Sequence, residues 1–326
     1  MPLNIAILGL GQLGSSLGLA LGTLDQEALP SGRPVISGWD ADKRTLQDAR
    51  GRLMIDRVGR DAVDAVRDAD IVFVDLPTTK LAETFSNIAA HLKQGAVVSD
   101  VTSSKALVLR LAQEHLPTTV DFIGGHPIIA AHRNTAEPSI DLFKSAIYCL
   151  IPSDRARPNA VDVLAELVTA IGAKPYYIEA AEHDAYVAGV QHLPLVVSAA
   201  LMEAVSRSGG WREMQPIAGV PFQTATQLPA EDVDVLAALC ASNSVALGRW
   251  LDDFIRLLVE FRDDLENREA LTGHFSQAKD MHERWLAAQP NMRPGEADYY
   301  GQPEQVDRSL TSLLFGQRRK KDRRSR

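Results

Sequence analysis

The chain begins with an apolar segment that runs directly into a glycine motif. Residues 4–8 predict a β-strand, and Gly9, Gly11 and Gly14 form G-x-G-x-x-G immediately before a predicted helix. The first glycine permits the tight turn, the second lets the backbone approach a pyrophosphate, and the third lets the helix pack closely on the sheet. The free N–H groups at the start of the helix then face the phosphates. The motif therefore predicts dinucleotide binding by an α/β fold.

An acidic residue at the end of the second predicted strand indicates which dinucleotide binds. This strand covers residues 35–39 and is followed by Asp40. A carboxylate here accepts hydrogen bonds from the adenosine ribose and repels a 2′-phosphate, which favours NAD over NADP. The basic side chains of Lys43 and Arg44, just downstream, suit a 2′-phosphate, so NADP remains the less favoured alternative. The residues predicted to contact the cofactor are Gly9, Gly11, Gln12, Leu13, Gly14, Asp40, Pro77 and Thr78.

Strands and helices alternate along the first 179 residues. Near-continuous apolar runs predict strands that are buried on both faces, as in a parallel sheet. After the second strand, the predicted strands are residues 70–77, 96–100, 121–125, 146–151 and 174–178. The alternation predicts an α/β fold, in which residues 1–179 form an NAD-binding domain with a doubly wound, mostly parallel, Rossmann-type sheet.

Beyond residue 180 the pattern becomes helical. Helices are predicted over residues 183–206 with an interruption near Pro194, over residues 233–265 without interruption, and from residue 267 to about 288. One copy of the chain does not bury helices as apolar as these. Residues 180–300 are therefore predicted to form an all-helical substrate and dimerisation domain of a homodimer. Residues 301–326 are predicted to be an extension with a basic, disordered tail.

Composition and charge narrow the functional classes. The formal net charge is −8, although the last nine residues contain seven basic residues and one acidic residue, so the rest of the chain is strongly acidic. Such a chain argues against nucleic acid as the main partner. No uninterrupted apolar run has the ~18 residues of a membrane helix, and the first strand begins too early for a signal peptide. We therefore expect a cytoplasmic protein without a membrane partner. Metal-ligand spacings are absent from the sequence, and no metal is expected.

Polar residues that suit catalysis follow several of the predicted strands. Open α/β sheets bind ligands at the carboxyl ends of their strands. Ser103 and Lys105 follow the fourth strand, and His126 follows the fifth. A histidine there suits a general base or a proton shuttle, and a loop histidine bonded to backbone carbonyls fits the pattern equally well. Ser103 and Lys105 also fit a helix N-cap and first turn. His192, in an apolar helix, fits a hydrogen-bonded core histidine.

Taken together, these motifs resemble the prephenate/arogenate dehydrogenase family in their order and spacing. The resemblance covers roughly residues 3–265 and rests on the glycine loop, Asp100-x-x-Ser103-x-Lys105, Gly125-His126-Pro127, Asp141-Leu142-Phe143, His183-Asp184 and His192-Leu193-Pro194. It implies a nucleotide-binding domain followed by a helical dimerisation domain. It also implies that His126 is the catalytic histidine, that Ser103 is its hydroxyl partner, and that His192 lines the substrate pocket.

The same resemblance implies an NAD-dependent oxidative decarboxylation of prephenate or arogenate in tyrosine biosynthesis. Substrates of this family are cyclohexadienols that carry a 4-hydroxyl group and a ring carboxylate. By analogy, His126 deprotonates the hydroxyl group while Ser103 aligns it, a hydride passes to the nicotinamide, and the ring carboxylate leaves as CO₂. Prephenate and arogenate remain alternative substrates at this stage.

Three segments depart from the family pattern. The segment that usually reads G-F-R-D-x-T-R keeps its first arginine as Arg212, but Pro216 replaces the arginine that holds a substrate carboxylate. Arg212 and Arg133 are the predicted substitutes for that guanidinium group. In S-H-L-P-H, Gln191 and Leu195 replace the outer serine and histidine, and an alanine replaces the glycine expected after Pro127. The loss of the arginine at Pro216 favours the alternative, a divergent homologue that acts on another hydroxy acid or a nucleotide-binding protein that has lost the reaction. The retention of both Ser103 and His126 favours the active prephenate or arogenate dehydrogenase.

Overall fold

The computed structural model describes residues 2–25, 27–29, 31–129, 137–227 and 232–288. The chain divides into two compact units, with the boundary after Ala180. Unit 1 contains a β-sheet with its helices, and the described part of unit 2 contains helices and the turns that join them. The predicted extension at 301–326 and Arg133 both lie outside the described residues.

Unit 1 is built on an eight-stranded sheet with the order β3-β2-β1-β4-β5-β6-β7-β8. Neighbouring strands are parallel except β6 and β7, which are antiparallel. The strands are β1 (Asn4–Leu8), β2 (Val35–Trp39), β3 (Arg57–Val58), β4 (Ile71–Val74), β5 (Val97–Asp100), β6 (Asp121–Ile128), β7 (Ile147–Pro152) and β8 (Lys174–Tyr177). The strand order reverses beside β1, and ligands of such sheets bind at the carboxyl ends flanking this point. The predicted doubly wound, mostly parallel sheet is confirmed.

Helices cover both faces of this sheet. They are α1 (Gln12–Gly22), α2 (Lys43–Gly51), α3 (Ala62–Val66), α4 (Thr78–Ile88), α5 (Lys105–His115) and α6 (Pro158–Ala170). Alternate residues of each strand point to opposite faces. Ile5 and Ile7 of β1 therefore join a core with α1 and α6, whereas Ala6 and Leu8 join a second core with α3, α4 and α5. This double burial explains why the strands are almost continuously apolar.

Strand β6 differs most from its predicted extent. It was expected to end at Gly125, but it continues to Ile128 and therefore contains His126. Its first two residues pair in parallel with β5, and residues 123–128 pair antiparallel with β7. The prediction that His126 follows the strand is therefore wrong. His126 nevertheless lies beyond the last β5–β6 pair, so it still extends past the carboxyl end of the parallel sheet. The two-residue β3 was not predicted, because so short a segment has no readable periodicity.

The described part of unit 2 consists of helices and the turns between them. They are α7 (Ala180–Val187), a π-helical turn (Ala188–His192), α8 (Leu193–Ser206), α9 (Trp211–Met214), a 3₁₀ turn (Gln215–Ile217), α10 (Val220–Ala225), α11 (Val233–Ser242), α12 (Ser244–Asp263) and α13 (Arg268–Ala288). The interruption expected near Pro194 is the π-helical turn just before that residue. The uninterrupted helix predicted over residues 233–265 is wrong, because the chain breaks at Asn243.

Many apolar side chains of unit 2 are exposed. Examples on its helices are Val190, Val233, Val245, Ile255 and Leu258. The stretch Ala180–Ser206 contains an 18-residue window with a mean hydropathy of 1.5 and is long and apolar enough, by length and composition, to cross a membrane. Core helices of soluble proteins pass the same test, and this stretch carries the buried polar residues His183, Asp184 and His192. Exposed apolar helix faces of this extent are typical of surfaces that associate with another chain.

Candidate active site

The glycine loop between β1 and α1 is packed too tightly for side chains at two positions. Gly9 has a φ of +91°, and a Cβ atom there would lie 1.9 Å from the carbonyl oxygen of Asp75. A Cβ atom at Gly14 would lie 2.1 Å from the carbonyl oxygen of Gly9. At Gly11 it would meet only a carboxylate oxygen of Asp75, at 3.6 Å. The fold itself therefore requires glycine at Gly9 and Gly14, whereas Gly11 leaves a bare backbone that fits the close approach of a dinucleotide pyrophosphate.

Asp40 is tied to this loop by its side chain. Its Oδ2 accepts a hydrogen bond from the Leu10 N–H at 2.7 Å, and its Oδ1 accepts one from the Asp42 N–H at 2.8 Å. These bonds fix the half-buried carboxylate at the end of β2 beside the glycine loop. Each carboxylate oxygen has a second lone pair, so Asp40 can still accept a ribose hydroxyl. The sequence indicated the position of Asp40 but not its contact with Leu10.

Asp75, which the sequence analysis did not single out, also contacts the loop. It follows β4 directly, and its Oδ2 accepts a hydrogen bond from the Gly14 N–H at 2.7 Å. Burial raises the pKa of Asp75 to about 6, the Gly14 N–H opposes this rise, and the charge of Asp40 adds to it. Pro77 and Thr78, two of the predicted cofactor residues, then begin α4. Asp75 is thus a second carboxyl group at the glycine loop, beside Asp40, and its charged form is poorly solvated.

A buried ion pair joins the ends of β5 and β6. Lys105 Nζ pairs with Asp100 Oδ2 and donates a hydrogen bond to the Gly125 carbonyl at 2.6 Å. The Gly125 N–H donates to Asp100 Oδ1 at 3.1 Å. The side chains of Lys105 and Asp100 are both 0% exposed. The peptide groups just before His126 are therefore held by both members of one ion pair. The sequence placed Lys105 in the first turn of a helix, which is correct for α5, but gave no sign of this pairing.

Ser103 and His126 lie at the same edge of the sheet. Ser103 is half-buried in the loop between β5 and α5, whereas His126 is only 6% exposed and lies in β6. The loop with Ser103 is anchored because the Thr102 N–H donates to Asp100 Oδ2 at 3.0 Å. Across β6 and β7, His126 pairs with Cys149, and burial raises the pKa of that thiol to about 11. Cys149 is therefore a protonated thiol at neutral pH.

A second polar cluster lies inside unit 2. His192 is 1% exposed at the end of the π-helical turn, and His183 Nδ1 lies 2.8 Å from Asp184 Oδ1. Burial lowers the pKa of His192, an effect that Asp184 opposes and His183 reinforces. Asn243 contacts this cluster and was missed in the sequence, although Ser242-Asn243-Ser244 is a run of three polar residues inside the predicted helix. Arg212 lies in α9 with an exposed side chain.

Comparison with known proteins identifies the family of the chain. A model of the nucleotide-binding domain of prephenate dehydrogenase matches residues 30–177, and a model of the dimerization domain of the same family matches residues 179–277. The chain belongs to the prephenate dehydrogenase family. The resemblance noted in the sequence is thereby confirmed, and the chain is an oxidoreductase with a nucleotide-binding domain.

Individual relatives cover most of the chain. It is 27% identical to the cyclohexadienyl dehydrogenase of Zymomonas mobilis over 85% of this chain and 94% of the relative. It is 25% identical to the prephenate dehydrogenase of Bacillus subtilis, over 91% of this chain and 80% of the relative. The crystal structure of Synechocystis arogenate dehydrogenase matches with a TM-score of 0.70 and 25% identity, over 87% of this chain and 100% of that one.

A structure of prephenate dehydrogenase from Aquifex aeolicus, solved with hydroxyphenyl propionate and NAD⁺, shares the fold. Its TM-score is 0.77 at 20% identity, over 87% of this chain and 98% of that one. The relatives thus include enzymes named for prephenate, for arogenate and for cyclohexadienyl compounds as a class.

Proposed function

We propose that this chain oxidises prephenate or arogenate with NAD and releases the ring carboxylate as CO₂. The observation that carries the proposal is the position of Ser103 and His126 at one edge of the sheet, in a chain that matches both domains of the family. This edge also carries the glycine loop, as an α/β site for a dinucleotide and a small substrate requires.

The glycine loop and its two carboxyl groups suit NAD. The proposed contacts are Gly9, Gly11, Gln12, Leu13, Gly14, Asp40, Pro77 and Thr78. When bound, NAD⁺ supplies the acceptor for the hydride. A 2′-phosphate would meet the carboxylate of Asp40, which supports NAD as the cofactor and NADP as the weaker alternative.

His126 acts as the acid–base group in this proposal. Its imidazole takes the proton of the substrate 4-hydroxyl group as the hydride leaves the carbon that carries this hydroxyl group. Ser103 aligns that hydroxyl group. Loss of CO₂ then drives the electrons of the broken C–C bond into the ring, and the ring oxygen recovers its proton from His126. The buried ion pair of Lys105 and Asp100 supports the geometry because it holds the peptide that precedes His126.

The substrate carboxylate needs a cation, and Arg212 and Arg133 are the proposed ones. A guanidinium group binds a planar carboxylate through two parallel hydrogen bonds. Arg212 is exposed on α9 and therefore accessible to a ligand. The replacement of the family arginine by Pro216 remains the observation that favours a second candidate, a family member that oxidises a different hydroxy acid.

The helical unit is proposed to form a homodimer. Its exposed apolar residues lie on several helices, and residues 179–277 match a domain described as a dimerization domain. Burial of exposed apolar faces against a second copy is the simplest way to stabilise them, because each Å² removed from water contributes about 25 cal/mol.

The substitution His126→Ala tests the catalytic proposal. Loss of a positioned general base should lower kcat by about 10²–10⁴-fold, while NAD affinity stays nearly unchanged. The matched control is His91→Ala, because His91 is an exposed histidine of the same unit, in the 3₁₀ turn after α4. The control should keep normal turnover. Near-normal turnover by the His126 variant would remove this residue from the mechanism.

A further inference from the structure

The break between α11 and α12 places a polar side chain inside unit 2. Asn243 has a φ of −124° and a ψ of 30°, which is outside the helical region, and only 7% of the residue is exposed. Apolar residues at helical spacing continue on both sides of the break, so burial of apolar surface alone does not require it. The contacts of the Asn243 amide supply a reason for the break.

The orientation of this amide is fixed by a backbone carbonyl. Asn243 Nδ2 lies 2.7 Å from the carbonyl oxygen of Asp184. A carbonyl oxygen only accepts hydrogen bonds, so the NH₂ end of the amide, and not its oxygen, must face Asp184. The same nitrogen lies 3.4 Å from Nδ1 of His192. An NH₂ group has two hydrogens, and the second one therefore faces this ring nitrogen.

We propose that Asn243 is a positioning residue that holds His192 in the neutral tautomer with the hydrogen on Nε2. A ring nitrogen that faces an N–H donor must accept, so Nδ1 of His192 carries no hydrogen. In a neutral imidazole the hydrogen is then on Nε2, which becomes a donor. Burial lowers the pKa of His192 and thereby favours the neutral form.

This assignment gives His192 a defined role, which rests on the proposed function. A fixed Nε2–H donor suits a carbonyl or carboxylate oxygen of a cyclohexadienyl acid and does not suit proton abstraction. His192 would thus bind the substrate as a hydrogen-bond donor. Neither ring nitrogen of His192 suits proton abstraction, because Nε2 carries the hydrogen and Nδ1 already faces the amide donor.

A neighbouring contact shows how the arrangement is built. Trp250 of α12 donates from Nε1 to the carbonyl oxygen of Ala185 at 3.0 Å, one residue after the carbonyl that Asn243 contacts. A Cβ atom at Gly189 would lie 2.7 Å from the Trp250 ring, so the indole packs directly on the π-helical turn. Two side chains from the α11–α12 region therefore hold consecutive carbonyls just before the turn that carries His192, but only Asn243 also reaches its ring.

Nitrogen-15 NMR of the full chain, labelled at histidine, tests the tautomer directly. The chemical shifts of the two ring nitrogens distinguish the two neutral tautomers and the charged imidazole. The signal is assigned by its loss in His192→Phe. We expect the unmutated protein at neutral pH to show His192 with hydrogen on Nε2. A hydrogen on Nδ1, or a charged ring, would overturn the proposal without any variant of Asn243.

Substitutions at position 243 distinguish the effect of the amide hydrogen bond from a general effect on helix packing. In Asn243→Asp the carboxylate cannot donate, so the hydrogen should move to Nδ1 or the ring should become charged. In Asn243→Ala the donor is lost without a new charge, and the two tautomers should mix. The control is Trp250→Phe, which removes the bond to Ala185 and keeps the amide, so the tautomer should be unchanged. An equal change of the His192 tautomer in Trp250→Phe would assign the effect to helix packing and refute the role of Asn243.

Measurements of KM then test whether the tautomer of His192 affects substrate binding. If Asn243→Asp moves the hydrogen to Nδ1, Nε2 no longer donates, and KM for prephenate or arogenate should rise by about 10- to 100-fold, the scale of one lost hydrogen bond to a charged group, with NAD affinity unchanged. If the ring becomes charged, it keeps the Nε2–H donor, and KM should stay near that of the unmutated protein. An unchanged KM in a variant with an altered tautomer would refute the contact between His192 and substrate. If the unmutated protein oxidises neither acid, the proposed function fails, whereas the NMR result on the tautomer stands independently.

Discussion

Substitution of Lys105 by methionine tests whether the buried ion pair holds the catalytic edge of the sheet. Methionine keeps an unbranched side chain but leaves Asp100 without its cation, in a place where both side chains are 0% exposed. Removing one partner of a buried pair costs about 3–5 kcal/mol, because the other charge stays desolvated. The matched control is Lys144→Met, because Lys144 pairs with Asp141 in the same unit and these two side chains are 61% and 51% exposed. Its loss should cost about 1 kcal/mol or less.

Hydrogen exchange followed by mass spectrometry measures this difference in the strands concerned. Peptides from β5 and β6 should exchange about 100- to 4,000-fold faster in Lys105→Met, since each 1.4 kcal/mol is a factor of ten. The double variant Asp100→Asn with Lys105→Met leaves no buried charge and should recover most of the protection. Equal exchange in the Lys105 and Lys144 variants would refute the claim that the ion pair holds β6 and His126 in place.

Two further predictions concern the carboxyl groups at the glycine loop. Since the pKa of Asp75 is raised from 3.8 to about 6, its ionisation destabilises the folded state as pH rises from about 4 to 6. Asp75→Asn, which keeps an acceptor for Gly14, should therefore raise Tm at pH 8, and the gain should shrink toward pH 4; a gain independent of pH would contradict the shift. Asp40→Ser should narrow the preference for NAD over NADP, because a charge-assisted hydrogen bond contributes ~1.5–3 kcal/mol. Calorimetry that gave equal NAD and NADP affinities for the unmutated protein would refute this role of Asp40.

Local sequence patterns were sufficient to predict the sheet and the glycine loop. The strands of unit 1 are buried on both faces, so their apolar runs are visible without knowledge of their neighbours. Glycine spacing likewise reports a local turn, and Gly9 and Gly14 have no room for a Cβ atom. Strand β6 was harder to predict, because its continuation through His126 depends on pairing with β7, which lies later in the chain.

The missed features of the site depend on contacts between distant residues. Asp75 meets Gly14 across 61 positions, and Lys105 meets Gly125 across 20. Asn243 lies in the polar run Ser242-Asn243-Ser244, but the sequence does not reveal that its amide contacts a carbonyl 59 positions earlier. Periodicity reports which face of an element is buried, but it carries no information about the partner of a single polar group.

The central claim is that this chain oxidises a cyclohexadienyl acid with NAD, and the direct test is the assay of the purified protein with each substrate. Prephenate and arogenate are supplied separately with NAD⁺, and NADH absorbance and released CO₂ are followed together. We predict NADH and CO₂ in equal amounts with at least one of the two acids. Absence of NADH with both acids, from protein that binds NAD, would contradict the claim and favour a different hydroxy acid as the substrate.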